Sequence, residues 1–146
     1  MSALYQFMEV NMSNSLIMIS SPNNSTVASG STLAFTNILR RRGLVVSWLN
    51  NGVRLNRPGY YKISCNVTFT VPTVGLATIT AQKNGEDIVG ITASTSVATA
   101  NTETANLSIS GIVRVMCCEG QAVLTILNEG VDITTSNIEL DVEYLG

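Results

Sequence analysis

Residues 60–71 alternate apolar and polar side chains, and this pattern restricts the possible folds more than any other feature of the chain. A period of two is that of a β-strand with one buried face, whereas a helix would distribute the same apolar residues around its circumference. Pro58-Gly59 precedes the run and Pro72 ends it, as residues that start or stop strands do. The apolar face of the predicted strand consists of Tyr61, Ile63, Cys65, Val67, Phe69 and Val71.

Turn residues recur along the chain, and Asn84-Gly85 is the clearest hairpin signal because both central residues of the tightest hairpin turn have positive φ. Gly111 indicates a bulge or a close backbone approach. Residues 94–104 are polar and predict a surface loop or a loosely defined edge. Many short strands, with no segment that requires a long helix, predict an all-β protein that is either an antiparallel β-sandwich or a jelly roll. Further strands are predicted at residues 16–19, 33–35, 44–49, 77–81, 88–91, 107–117, 123–127 and 138–144.

The length of the chain, 146 residues, suits one domain, and the sequence contains no tandem repeat and no linker. The first part of the chain is less regular, and we interpret residues 1–30 as an N-terminal arm or anchor segment and residues 31–146 as the β domain. The first residues lack the basic start of a signal peptide, and no stretch is long enough to span a membrane. We therefore expect assembly in a cytoplasm, without a membrane partner.

The chain contains few charges. Charged residues make up 12% of it, about half the usual share. The net charge of −2 gives no reason to expect nucleic acid as a partner. A low surface charge suits a subunit that buries part of its surface against other subunits. The basic cluster Arg40-Arg41-Arg42 is either solvated and ion-paired or a docking patch for an acidic partner.

Side chains suited to catalysis are scarce. The chain has no His, which removes Ser-His and Cys-His nucleophiles and His metal sites, and it has no phosphate-binding loop. We therefore predict no enzymatic activity and no cofactor. The three cysteines, Cys65, Cys117 and Cys118, are odd in number and do not form a disulfide framework. We interpret them as buried free thiols, consistent with a reducing compartment.

The last predicted strand carries three carboxylates on one face: Glu139, Asp141 and Glu143. Neighbours on such a face lie about 7 Å apart. A solvated strand face is one interpretation of this pattern. A Ca²⁺ site completed by Asp132 or by a neighbouring subunit is another, and the sequence leaves both open.

Four segments resemble the jelly rolls of the tumour-necrosis-factor and complement-globular-head family. Residues 58–64, Pro-Gly-Tyr-Tyr-Lys-Ile-Ser, are similar to the family's Pro-Gly-x-Tyr-x-Phe/Ile-Ser segment, with Ile63 in place of the usual phenylalanine. Lys83-Asn84-Gly85 resembles the family's hairpin, and residues 107–127 resemble the strands around its Gly-Asp turn. Residues 137–145 correspond to its closing strand. The resemblance covers residues 31–146 and depends on the order of the segments more than on identities.

Members of this family form trimers around an apolar and aromatic axis, so the resemblance implies a homotrimer. Trp48, Tyr61, Phe69 and Tyr144 are then candidates for either the core or the trimer interface. Tyr61 and Phe69 share the inward face of their strand, which favours the core. Trp48 suits the core, a subunit interface or stacking on a sugar.

The chain lacks the collagen-like stalk, secretion signal and disulfides of the animal members. It looks most like jelly rolls of bacteriophage virions, which implies a trimeric capsid decoration or head-fibre protein on the virion surface. The N-terminal segment would then bind a capsid or other virion protein. The alternative is a receptor-binding module that recognises a host glycan through Thr73 and residues 94–104 and 131–136.

Overall fold

A computed structural model describes residues 15–22 and 24–146 of the chain. The described residues form strands, turns and coil without any helix, so this part of the chain has no helix that could cross a membrane. All strand pairs are antiparallel. The strands are β1 (Leu16–Ser21), β2 (Ser25–Val27), β3 (Asn37–Arg42), β4 (Val46–Leu49), β5 (Gly52–Leu55), β6 (Gly59–Thr70), β7 (Gly75–Lys83), β8 (Glu86–Val97), β9 (Ala105–Val115), β10 (Ala122–Asn128) and β11 (Ile133–Tyr144).

The strands form two sheets that pack face to face. Sheet I has the order β3-β1-β11-β6-β9, with β2 also paired to β11. Sheet II has the order β4-β5-β10-β7-β8. Beyond β8, successive strands alternate between the sheets, which gives the jelly-roll connectivity predicted from the sequence.

The core lies between the two sheets and is built by the alternation along each strand. On β6, every apolar residue from Tyr61 to Phe69 is at most 1% exposed. Leu140 on β11 and Leu124 on β10 are completely buried and contribute to the core from opposite sheets. Burial of each such side chain contributes about 1.5–3 kcal/mol, so the period-2 pattern is the main determinant of this fold.

The two lateral edges of the sandwich are closed differently. At the β8–β9 edge, a Cβ added to Gly111 would lie 2.6 Å from Cδ1 of Ile91, so the glycine provides the space that Ile91 fills. The register of β9 with β6 does not shift at Gly111, so the predicted bulge is absent, and the close approach is made by a side chain and not by backbone. At the β3–β4 edge, all six residues of β3 are exposed. Trp48 lies over this edge, 37% exposed, and its Nε1 donates to the Phe35 carbonyl oxygen at 3.3 Å.

The predicted hairpin between β7 and β8 is confirmed. Asn84 has a φ of 53° and Gly85 a φ of 82°, as a tight hairpin turn requires. The Asn84 side chain also accepts a 2.8 Å hydrogen bond from the Val123 backbone N–H, which ties the turn to β10.

Several predicted boundaries differ from the structure. The sandwich begins at β1 rather than at residue 31, because Ile17 and Ile19 belong to the core and β1 lies between β3 and β11. Residues 33–35 are coil and not a strand, although Leu33 and Phe35 are buried. The predicted loop at 94–104 is a loop only from residue 98, because β8 continues to Val97 opposite β7. Residues 1–14 of the predicted arm lie outside the described residues.

The strand ends define two ends of the sandwich, which we name after one residue of each. The Ser15 end contains Ser15, residues 145–146 and the connections 43–45, 56–58, 84–85 and 116–121. The Asp132 end contains the connections 28–36, 50–51, 71–74, 98–104 and 129–132.

Candidate interaction surfaces

Three of the four aromatic candidates lie in the core. Tyr61 and Phe69 are completely buried and Tyr144 is 6% exposed, so all three contribute to the core of the single chain. The rings of Tyr61 and Tyr144 are 5.0 Å apart. The Tyr61 hydroxyl donates to the Arg57 carbonyl oxygen at 2.5 Å, and the Tyr144 hydroxyl donates to that of Pro58 at 3.0 Å. These bonds hold the connection before β6 against β11, and burial raises the pKa of Tyr61.

The outer face of sheet I consists of the residues on β1, β6, β9 and β11 that point away from the core. On β6 and β9 these residues are mostly small and uncharged, and they bond across the strands. The Asn106 side chain donates to Thr68 Oγ1 at 3.0 Å, and the Ser108 hydroxyl donates to Asn66 Oδ1 at 2.5 Å. The β6–β9 part of the face carries only two charges, Lys62 and Arg114, that a subunit contact would have to desolvate.

Two large apolar side chains interrupt this polar face. Tyr60 on β6 is 45% exposed and Ile112 on β9 is 59% exposed. The Arg114 guanidinium lies 5.5 Å from the centre of the Tyr60 ring, a cation–π arrangement. Ile112 is not among the predicted site residues, although the sequence contains a signal for it, namely an apolar residue at an outward position of an alternating strand.

The carboxylates of β11 lie on the same outer face, as predicted. Asp141 is paired in register with Ser64 and Met18, and its Oδ1 is buried without a hydrogen-bond partner among the described residues. Burial, and next the neighbouring Glu139 carboxylate, raise the pKa of Asp141 to about 6. The surroundings of the Asp141 carboxyl group therefore disfavour its charged form.

Asp132 does not join these carboxylates. It lies at the opposite end of β11, roughly 30 Å from Asp141 along the extended strand. Its Oδ1 accepts a 2.8 Å hydrogen bond from the Ser29 backbone N–H. The intrachain Ca²⁺ site with Asp132 is thus wrong, and the described residues contain no group of three possible ligands placed around a metal. A site shared with a neighbouring subunit stays a prediction.

The arginine cluster lies on an open edge. Arg40, Arg41 and Arg42 are exposed on β3, and none of them forms an ion pair with an acidic residue in the described part of the chain. Arg40 Nη1 instead donates to the Leu39 carbonyl oxygen at 2.8 Å. The geometry is compatible with either a solvated cluster or a docking patch.

The prediction of buried thiols is correct for one cysteine. Cys65 is completely buried in the core, and burial raises the pKa of its thiol to about 12. Cys117 and Cys118 are exposed, because β9 ends at Val115 and the chain turns immediately afterwards. The turn is closed by Glu119, whose backbone N–H donates to the Met116 carbonyl oxygen at 3.0 Å.

The structure resembles solved jelly rolls over most of its length. The PRD1 vertex protein P5 matches with a TM-score of 0.59 and 13% identity, over 91% of this chain and 98% of that chain. Eiger TNF of S. frugiperda matches with a TM-score of 0.67 and 9% identity, over 90% and 91% of the two chains. The globular domain of a zebrafish complement 1qA protein matches with a TM-score of 0.63 and 9% identity, over 90% and 98%.

No protein-family model matches the sequence, and a search of curated proteins finds no match. The resemblance inferred from the four sequence segments is confirmed at the level of the fold. The chain is a jelly roll of the type found in tumour-necrosis-factor and complement-globular-head proteins.

Proposed function

We propose that this chain is a bacteriophage virion structural protein, displayed as a homotrimer that decorates the capsid or forms a head fibre. The observation that supports the proposal most strongly is the shared fold with the PRD1 vertex protein P5 over nearly the full length of both chains. The absence of His from the sequence is consistent with a structural role rather than an enzymatic one.

The outer face of sheet I is the surface best suited to contact between copies. It combines small uncharged side chains with two exposed apolar side chains, Tyr60 and Ile112. Burial of Ile112 in such a contact would add about 1 to 2 kcal/mol per subunit.

The N-terminal segment is the proposed attachment to the particle. Since β1 and β2 belong to sheet I, the part of the predicted arm available for attachment is the sequence before β1. Residues 1–14 contain Leu4, Phe7 and Val10 among others, which suit contact with a partner surface. The cluster Arg40-Arg41-Arg42 offers a second contact on the open β3 edge.

Deletion of residues 2–14 tests this function. Particles purified from a phage strain without the chain are incubated with the full chain or the truncated chain, and the bound fraction is measured by sedimentation. We expect the full chain to bind and the truncated chain to remain a soluble trimer that does not bind. Normal binding by the truncated chain would contradict the anchor, and absence of the full chain from virions would contradict the virion role.

A glycan-recognising module is the second candidate. Thr73 and the connections 98–104 and 129–132 gather at the Asp132 end, where they form one loop-rich surface. A glycan array probed with the full chain would give strong signals, abolished by competing free sugar, if this surface recognises a glycan. A blank array would leave attachment to the particle as the function.

A further inference from the structure

We propose that the Ser15 end of the sandwich is the docking face of this chain, that it binds an acidic protein surface on the particle, and that the Asp132 end points outward. This inference rests on the proposed virion function and identifies the surface and the kind of partner that the function requires.

The path of the chain places the attachment at this end. The Tyr144 backbone N–H donates to the Ser15 carbonyl oxygen at 2.9 Å, so β1 is held beside the end of β11 from its first residue. Ser15 itself is 1% exposed. The sequence before β1 therefore joins the domain at the Ser15 end, and any anchor in residues 1–14 acts from there.

Large apolar side chains are exposed at the same end. Leu44 is 80% exposed, Leu145 43% and Met116 41%. Leu44 follows β3 and Met116 follows β9, so they lie at the two lateral edges of this end, and Leu145 follows β11 between them. Exposed apolar side chains of this size at one end of a domain suit a surface that a partner covers.

Charge distinguishes the two ends and indicates the chemistry of the partner. Six of the eight basic residues lie at the Ser15 end or within two residues of it, against four acidic residues. The described loops of the Asp132 end carry Glu103, Glu129 and Asp132 and no basic residue. The basic residues of the Ser15 end are Arg41, Arg42, Arg54, Arg57, Lys83 and Arg114. An apolar surface with a basic rim is complementary to an acidic protein surface.

Rotational symmetry would strengthen this contact. In a cyclic trimer, equivalent ends of the three subunits lie at the same height along the axis. Three Ser15 ends would therefore face the particle together, and weak single contacts would combine into firm attachment.

The experiment uses the full chain and particles purified from a phage strain that lacks it. Sedimentation measures the affinity for particles of two variants. One carries both Leu44→Ser and Met116→Ser, and the other carries Arg42→Glu alone. The matched controls at the Asp132 end are Val74→Ser with Leu76→Ser, whose side chains are each 52% exposed, and Glu103→Arg. We expect the Ser15-end variants to lose affinity about tenfold or more and the controls to stay within about twofold.

A second measurement makes sure that each variant is folded. All variants should keep the melting temperature and the oligomeric mass of the unchanged chain, because the substituted side chains are exposed. Arg42→Glu should lose less affinity as salt is raised, since its effect is electrostatic.

Three results would overturn the proposal. The first is that the Asp132-end controls lose as much affinity for particles as the Ser15-end variants, or more, while the unchanged chain binds. This result would contradict the docking face but not the virion function. The second is tighter binding of the unchanged chain to phage DNA or to phosphatidylglycerol vesicles than to particles. The third is failure of the unchanged chain to bind particles or to occur in virions, which would remove the virion function as well.

Discussion

The inner and outer faces of sheet I come from the same strands but have different roles. Toward the core, β6 presents every second residue from Tyr61 to Phe69. These five side chains are buried, and they are apolar apart from the Tyr61 hydroxyl. Away from the core, the same strand presents Lys62, Ser64, Asn66 and Thr68, which bond to β9 or remain exposed. The fold therefore depends on one set of alternate residues and leaves the other set available for contacts with other molecules.

The inner face should respond most strongly to substitution. Leu140 is completely buried on β11, so Leu140→Ala leaves a cavity between the sheets. We expect the free energy of unfolding to fall by about 2–5 kcal/mol, measured by urea denaturation. Glu143→Ala, on the outer face of the same strand, should change it by less than about 0.5 kcal/mol. Comparable losses for the two variants would contradict the division between the faces.

Gly111 tests how tightly the inner face closes at the β8–β9 edge. Gly111→Val places atoms where Cδ1 and Cγ1 of Ile91 lie, 2.6 and 2.8 Å from an added Cβ. We expect a loss of about 1–3 kcal/mol in the free energy of unfolding from this overpacking. Combination with Ile91→Ala should recover part of the loss in a double-mutant cycle. Strict additivity of the two substitutions would show that they do not share this space.

Asp141 carries a charge on the outer face at an energetic cost. Its pKa of about 6 lies above that of an exposed aspartate, so the folded chain binds more protons than the unfolded chain between about pH 4 and 6. Stability should therefore fall as pH rises through this window. Asp141→Asn should gain about 1 kcal/mol at pH 8, a value reduced for partial solvation, and nothing below pH 4.

The measurement is the free energy of unfolding as a function of pH for the unchanged chain and Asp141→Asn. The facing charged groups are Glu139 and Glu143 on β11, Lys62 on β6 and Arg40 on β3. Ser64→Ala, opposite Asp141, serves as the control and should keep the pH profile of the unchanged chain. If the free energies of unfolding of the unchanged chain and Asp141→Asn differed by the same amount at every pH, the raised pKa of Asp141 would be contradicted.

Ile112 should affect the fold least and the assembly most. Ile112→Arg adds a charge at an exposed position, so the circular dichroism spectrum should not change. In a contact between copies, the same charge would be desolvated, and the assembly should dissociate into subunits. Ser96→Arg, on the exposed side of β8 in sheet II, is the matched control and should not dissociate it. An intact assembly in Ile112→Arg would exclude this face as the contact.

The sequence predicts those parts of the fold that depend on local pattern. The alternation over β6 and β11 and the Asn84-Gly85 turn each follow from a few neighbouring residues, and the structure contains both of them. Residues 33–35 alternate in the same way but are coil. They are held by single hydrogen bonds from Leu33 to Ile126 and from Phe35 to Asn50, which local pattern does not reveal.

The interaction surfaces were harder to predict because they depend on which distant segments meet. Leu44 was assigned to a strand from its apolar neighbours, yet the chain places it in the connection before β4, where it is 80% exposed. Cys117 continues the apolar alternation of β9, but the turn closed by Glu119 begins before it. In both cases the tertiary position of a chain reversal, and not the residue type, decides exposure.

The mass of the chain in solution tests most directly whether one face of each strand builds the core and the other meets sister copies. Sedimentation equilibrium at micromolar concentration should give three times the 15.6 kDa of a single chain, and Ile112→Arg should give the single mass. A monomer of 15.6 kDa for the unchanged chain at this concentration would contradict the account.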